Sequence, residues 1–306
     1  MYRYRICLIA SAILSVTSFG TETLANDLFN QFAKSCGEVC SDACGEGSLY
    51  RPLRRGTLFG NPGEGGPNLD EPLVTDRPDF TEASSTVGVG VAQIEMGYTY
   101  FFDDSATERT KSHSFPEPLL RLGVYDDWLE LRVGWNYTDE DVNQTRTQGA
   151  DDLYLGFKIG LTPQDEWVPE MALIPQMTVP TGANALTANR VLPGVNWIYG
   201  WELTDEISTA GSSQVNLALD GTGQSFAEFA QSWTVAFSLT DELGAYTEYY
   251  GIFPASGVGT QSENYFNGGF TYLLSNDVQW DIRAGVGLND AADDYFVGSG
   301  LTIRFQ

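Results

Sequence analysis

Opposite charges set two residues apart recur along the chain, as in Glu130/Arg132 and Asp281/Arg283. In an extended strand alternate residues share a face, so each pair puts an acid beside a base on one side of a sheet. Such ladders either brace a polar interior or form a constriction whose field selects solutes. The one histidine, His113, lies between Ser112 and Ser114 in the polar run 110–114. A hydrolase triad needs a serine nucleophile, a base and an orienting group. The local spacing supplies no His-x-Ser pair, since the residue two beyond His113 is Phe115. The acidic pairs Asp103/Asp104, Asp151/Asp152 and Asp293/Asp294 could hold Ca²⁺ or exchange protons, but most such pairs are solvated turn residues. No catalytic residue is assigned. Cys36, Cys40 and Cys44 are spaced four apart, allowing one disulfide and one free thiol. Cys-x-x-Cys is absent and no nearby His, Asp or Glu completes a tetrahedral set, so no metal site and no cofactor is assigned.

The elements that carry these residues follow from composition and periodicity. The 306 residues include 41 Asp+Glu against 16 Lys+Arg, a net charge of −25 that repels a phosphate backbone and argues against any nucleic-acid partner. The 33 Gly and 15 Tyr suit twisted strands and interfacial belts. Residues 1–25 read as a cleavable signal peptide: Arg3 and Arg5, the apolar run 6–16, then Thr23-Leu24-Ala25. That run is too short for a permanent span, and no later stretch approaches twenty apolar residues. A membrane form must therefore be a closed barrel. Residues 26–75 read as a periplasmic, Cys-containing leader with a Gly/Pro-rich linker and a short, poorly ordered N-terminal course. Its basic residues Arg51, Arg54 and Arg55 could meet a periplasmic partner; plug, tether and tail stay open.

From residue 91 onward the pattern has period two. Leu129, Leu131, Val133, Trp135 and Tyr137 oppose Glu130, Arg132, Gly134 and Asn136; residues 152–161 and 278–288 repeat the pattern. Such segments predict an all-β fold, an antiparallel transmembrane β-barrel of roughly twelve strands over 76–306, with ten or fourteen as alternatives. The expected strands are 91–102, 117–125, 129–138, 151–161, 170–179, 195–203, 213–220, 227–239, 243–252, 264–274, 278–288 and 295–305. Tight turns at 126–127, 240–242 and 275–277 alternate with longer acidic loops expected at 103–116, 139–150, 180–194 and 253–263. Apolar residues on one face would meet outer-membrane lipid. The opposite face supplies the pore-lining candidates Glu95, Arg121, Glu130, Arg132, Asp152, Lys158, Glu202, Glu228, Glu248, Asp281, Arg283 and Arg304.

Several motifs resemble one family. Thr75-Asp76-Arg77-Pro78-Asp79-Phe80-Thr81 is similar to the opening motif of the outer-membrane barrel transporters labelled "putative MetA-pathway of phenol degradation", with Asp76, Arg77, Pro78 and Asp79 at its centre. Gln93-Ile94-Glu95-Met96-Gly97 resembles its first strand. Residues 277–281 and 285–289 resemble its penultimate strand, and 294–298 with 300–305 its last. The resemblance implies a barrel, a transport role and an association with aromatic-compound catabolism. A final strand ending Phe305-Gln306 also resembles the signal read by barrel-assembly machinery, although there the aromatic is last. The expectation is an outer-membrane channel or transporter passing small solutes, aromatic or hydrophobic ones, through a narrow charge-lined lumen. A barrel phospholipase and a structural or adhesive surface protein are the rivals.

Overall fold

The computed structural model describes residues 56–61, 67–105 and 108–306. The chain divides into two compact units, 1–53 and 54–306, and the described residues belong to the second. The signal peptide and Cys36, Cys40 and Cys44 lie outside the described residues.

Fifteen strands follow one another: β1 (Ala92–Asp104), β2 (Arg109–Phe115), β3 (Leu119–Gly123), β4 (Leu129–Gly134), β5 (Tyr137–Val142), β6 (Thr145–Ala150), β7 (Leu153–Thr162), β8 (Glu170–Val179), β9 (Leu192–Glu202), β10 (Ile207–Leu219), β11 (Ser225–Ser238), β12 (Leu243–Pro254), β13 (Glu263–Ser275), β14 (Val278–Gly287) and β15 (Tyr295–Phe305). Twelve of them close into an antiparallel barrel, because β15 pairs back onto β1 from Ala92–Phe305 to Phe102–Tyr295. Closure gives each of the twelve strands a partner on both sides along most of its length, while β6, in the smaller sheet, is paired on one side only.

The other three, β2, β5 and β6, carry β3, β4 and β7 outward as a narrower sheet against the far half of β1. Residues 103–116 and 139–150 are thus mostly strand rather than the long loops expected. Their two wet faces are both polar, so no apolar period marks them; cross-strand charges such as Arg146–Asp139 hold them instead. The break between β2 and β3 falls at Pro116-Glu117-Pro118, where two prolines have no N–H for the ladder.

The barrel is inside-out relative to a soluble sandwich. Outward positions carry Phe157, Trp197, Phe229, Trp233, Phe266, Phe270, Trp280, Ile282 and Val297, all at least 37% exposed. Inward positions carry Glu95, Arg121, Glu130, Arg132, Lys158 and Asp281, all at 0% exposure. An apolar surface of this extent needs a hydrocarbon solvent, and buried charges at this density need one another.

Candidate functional site

What buries those charges is the chain itself. Residues 75–90 do not join the wall but cross the lumen, touching one strand after another. Asp76 is the first anchor. Its carboxylate meets Arg132 and lies 2.7 Å from the Lys158 Nζ and 3.3 Å from the Arg121 Nε. Its N–H donates to Glu95 at 3.1 Å, and it accepts the Ala83 N–H at 2.9 Å. Around it, Arg121 pairs with Glu130 (2.8 Å) and Glu95 (3.1 Å), and Arg132 with Glu130 (3.0 Å). Three cations therefore share one interior with Asp76, Glu95, Glu130 and Glu82, the last also bound to Arg132. Taken singly, each of these charges would cost several kcal/mol to bury; mutual pairing offsets that cost.

Arg77 turns the other way. It bonds Glu117 at 2.8 Å and Asp281 at 3.3 Å. Its guanidinium lies in a slot left by Gly97 and Gly300, which face each other across β1 and β15; a Cβ built on either would overlap it. Glu117 reaches inward because the proline-flanked break sets its φ at 47°. Asp79 lies beside Glu248, and the Thr81 hydroxyl bonds that of Ser232 on β11 at 2.6 Å. Phe80 stacks on Tyr250, with centroids 4.5 Å apart and planes 3° from parallel, and Tyr250 stacks on Tyr265 at 4.7 Å. The N–H groups of Phe80 and Thr81 both donate to Glu248 at 2.7 Å. Farther on, Asn196 donates to Glu82 (3.0 Å), Val87 N–H to Glu130 (3.0 Å), and Val89 N–H to Asp127 (2.9 Å). Gly88 then presses its carbonyl against Gly123, a contact that no side chain at Gly123 would permit.

The segment thus ties to β1, β3, β4, β7, β9, β11, β12 and β14, forming a diaphragm. A cavity of about 1020 Å³ lies on the short-turn side, touching Ser84, Glu170 and Glu202. Another of about 600 Å³ lies on the long-loop side, touching Tyr154, Asn216 and Glu228. Below the diaphragm, residues 67–73 run across the short-turn mouth, where Arg304 binds Asp277 (2.8 Å) and the Glu71 carbonyl (2.8 Å).

The family described as "Putative MetA-pathway of phenol degradation" matches residues 75–305. The chain belongs to that family. No curated protein sequence matches it. Among solved structures it is similar to the NanC porin (9% identity, 69% of this chain and 98% of that one, TM-score 0.44) and the KdgM porin (9%, 70% and 99%, 0.43). It is also similar to the translocator domain of autotransporter NalP from Neisseria meningitidis (8%, 70% and 87%, 0.43). At such identities no site or substrate carries over.

The residues of the family's opening motif are thus the ones that cross the lumen. Of the sequence-derived lumen candidates, Glu95, Arg121, Glu130, Arg132 and Lys158 gather around Asp76. Asp281 meets Arg77, Glu248 meets Thr81, Arg283 donates to the Pro78 carbonyl (2.9 Å), and Arg304 sits at the mouth. Three others stand apart from the diaphragm. Asp152 caps the 180–191 loop through the N–H groups of Gly182 and Ala188, both 2.9 Å. Glu202 is exposed on the short-turn rim, and Glu228 lines the long-loop cavity. His113 hydrogen-bonds the Tyr98 hydroxyl at 2.8 Å, and no serine hydroxyl bonds it among the described residues. No group of three metal-ligating side chains occurs among the described residues.

Sequence reasoning missed the diaphragm itself. A signal existed: at the depth of Arg121, Arg132 and Lys158, the lumen faces of β1, β3, β4 and β7 set these three cations against two acids, Glu95 and Glu130. An interior so shielded needs another acid from elsewhere, and Asp76 supplies it.

Proposed function

We propose that this protein is an outer-membrane transporter for small aromatic or hydrophobic solutes, closed at rest by residues 75–90. The observation that carries the reading is a closed ring, apolar outside and ionic inside, whose lumen is crossed by its own chain. The apolar belt fits lipid as partner. Short turns and both ends of the barrel on one side fit a periplasmic orientation for the diaphragm mouth, with the longer loops outside. The N-terminal signal fits export, and assembly machinery would read the last strand. A diaphragm tied by salt bridges and hydrogen bonds, not by covalent links, can be displaced as a unit, and the cavities on either side give a solute room to wait. The aromatic preference rests on the family's description and on the rings around Tyr250.

The test is uptake by liposomes holding the purified full-length chain. Accelerated entry of small phenols and hydrocarbons, with little steady conductance, supports a closed transporter. A steadily conducting, unselective pore would remove the closure, and unaltered permeability to every solute would remove the transport.

A further inference from the structure

The wall of the barrel is not continuous at its outer end. The β9–β10 ladder runs from Glu202–Ser208 to Gly194–Asn216 and stops there. β10 continues to Leu219, still paired with β11, while β9 continues to Leu192, still paired with β8. Between these diverging ends sits Pro193, which has no N–H to offer across the gap. The adjoining cavity of about 600 Å³ touches Tyr154, Gln176, Asn216 and Glu228, which face the lumen, and also Met177 and Leu217, which face outward. Asn216 and Leu217 are consecutive in one strand and point to opposite sides of the sheet. The cavity lies at the end of the wall, where the β9–β10 ladder has already stopped.

A loop and a polar chain flank the cavity. On its outer side the 180–191 loop is fastened by the Asp152 carboxylate and contributes Leu186 to the lining. Below, the Tyr154 hydroxyl donates to Gln176 (3.1 Å) and the Gln176 amide to Asn216 (2.9 Å), a chain of uncharged groups one layer above the Asn196–Glu82 contact with the diaphragm. Glu228 makes no hydrogen bond or ion pair in the described structure, so its carboxylate is a free acceptor. Outward positions around the gap carry Pro175, Met177, Val195, Leu217 and Phe229 and no charge.

We propose that this gap is a lateral portal through which small, uncharged, hydroxyl-bearing hydrophobic compounds pass from the lipid into the lumen. The apolar rim takes the hydrocarbon body, Glu228 accepts a hydrogen bond from the hydroxyl, and the same carboxylate rejects anions. The volume suits a molecule of one ring, within the roughly 300–1,000 Å³ usual for small-molecule sites. The proposal rests on the transporter reading for its direction of travel, but not for the binding itself.

The probe is 4-fluorophenol, uncharged at pH 7, followed by fluorine NMR with the full-length folded chain in detergent. Saturable binding is expected in the wild type, weakened at least tenfold in Glu228→Gln and in Leu217→Trp, whose ring would fill the portal. Asn216→Ala should weaken it less, and 4-fluorobenzoate should not bind. Folding of each variant is checked by its heat-modifiable migration in gels. In liposomes, Leu217→Trp should slow entry of 4-fluorophenol at least fivefold. Binding lost in the variants without uptake by any of them would keep the site and overturn the transporter. Absence of saturable binding, binding indifferent to all three substitutions, or uptake indifferent to Leu217→Trp would overturn the portal.

Discussion

On the side of the ring built by β1, β3, β4 and β7, the lumen-crossing segment meets three buried cations through Asp76. On the side built by β12, β13 and β15, it meets the rings of Tyr250, Tyr265 and Phe296 through Phe80. The two anchors are only four residues apart, yet they obey different physics. Ion pairs in a dry interior demand specific geometry, and removing one member leaves the others uncompensated. Stacked rings tolerate sliding and lose mainly contact area. The charged side is therefore suited to fixing the register of the diaphragm through its side chains; on the aromatic side the backbone bonds of Phe80 and Thr81 to Glu248 hold the segment, and the ring adds contact area.

Asp76→Ala should break the comparison most severely. It leaves Arg121, Arg132 and Lys158 short of a partner, at a cost of about 3–5 kcal/mol typical of a halved buried pair. Thermal unfolding of the detergent-solubilised barrel should fall accordingly, with steady conductance rising in planar bilayers. Phe80→Ala should cost less, about 1–2 kcal/mol for a partly buried ring and its stacking, and should leave conductance near the wild-type level. Equal effects from the two substitutions would erase the asymmetry.

A smaller effect concerns the loop over the aromatic side. Ala292 is buried with Tyr250, Tyr265 and Phe296, and the Asp293 N–H donates to the Tyr265 hydroxyl at 3.1 Å. Burial first, then Glu263, Asp103, Glu140 and Asp294, push the Asp293 carboxyl up to about 6. A raised acid folds more readily when neutral. Its contribution is complete below the ordinary carboxylate range near pH 4 and is lost as pH rises through about 6. Amide exchange at Ala292 and Asp293, corrected for intrinsic rates, should be slower at pH 5 than at pH 8. Asp293→Asn should remove the difference.

The strands were legible because one face of each lies against an apolar exterior, so that Leu129, Leu131 and Val133 alternate with Glu130 and Arg132. Parity gives the face but not the height. Asp152, Glu202 and Glu228 share the lumen side with Arg132, yet stand near the rims, and no periodicity distinguishes a rim from a midplane. Residues 75–90 were illegible as a diaphragm for a related reason. Successive residues meet different walls, Asp76 the cations, Arg77 the opposite acids and Phe80 the rings, so no repeat forms. β2, β5 and β6 escaped because both their faces are wet.

Backbone amide hydrogen exchange over residues 76–89, in the folded barrel, tests the central claim most directly. Six N–H groups donate to carboxylates: those of Asp76, Phe80, Thr81, Ala83 and Val87 inside the lumen, and that of Val89 to Asp127 in the β3–β4 turn. They should exchange at least a hundredfold more slowly than unstructured peptide, comparably to β1 and β15. Exchange of this stretch at free-peptide rates while the strands stay protected would mean that the segment does not occupy the lumen, and the closed transporter would be wrong.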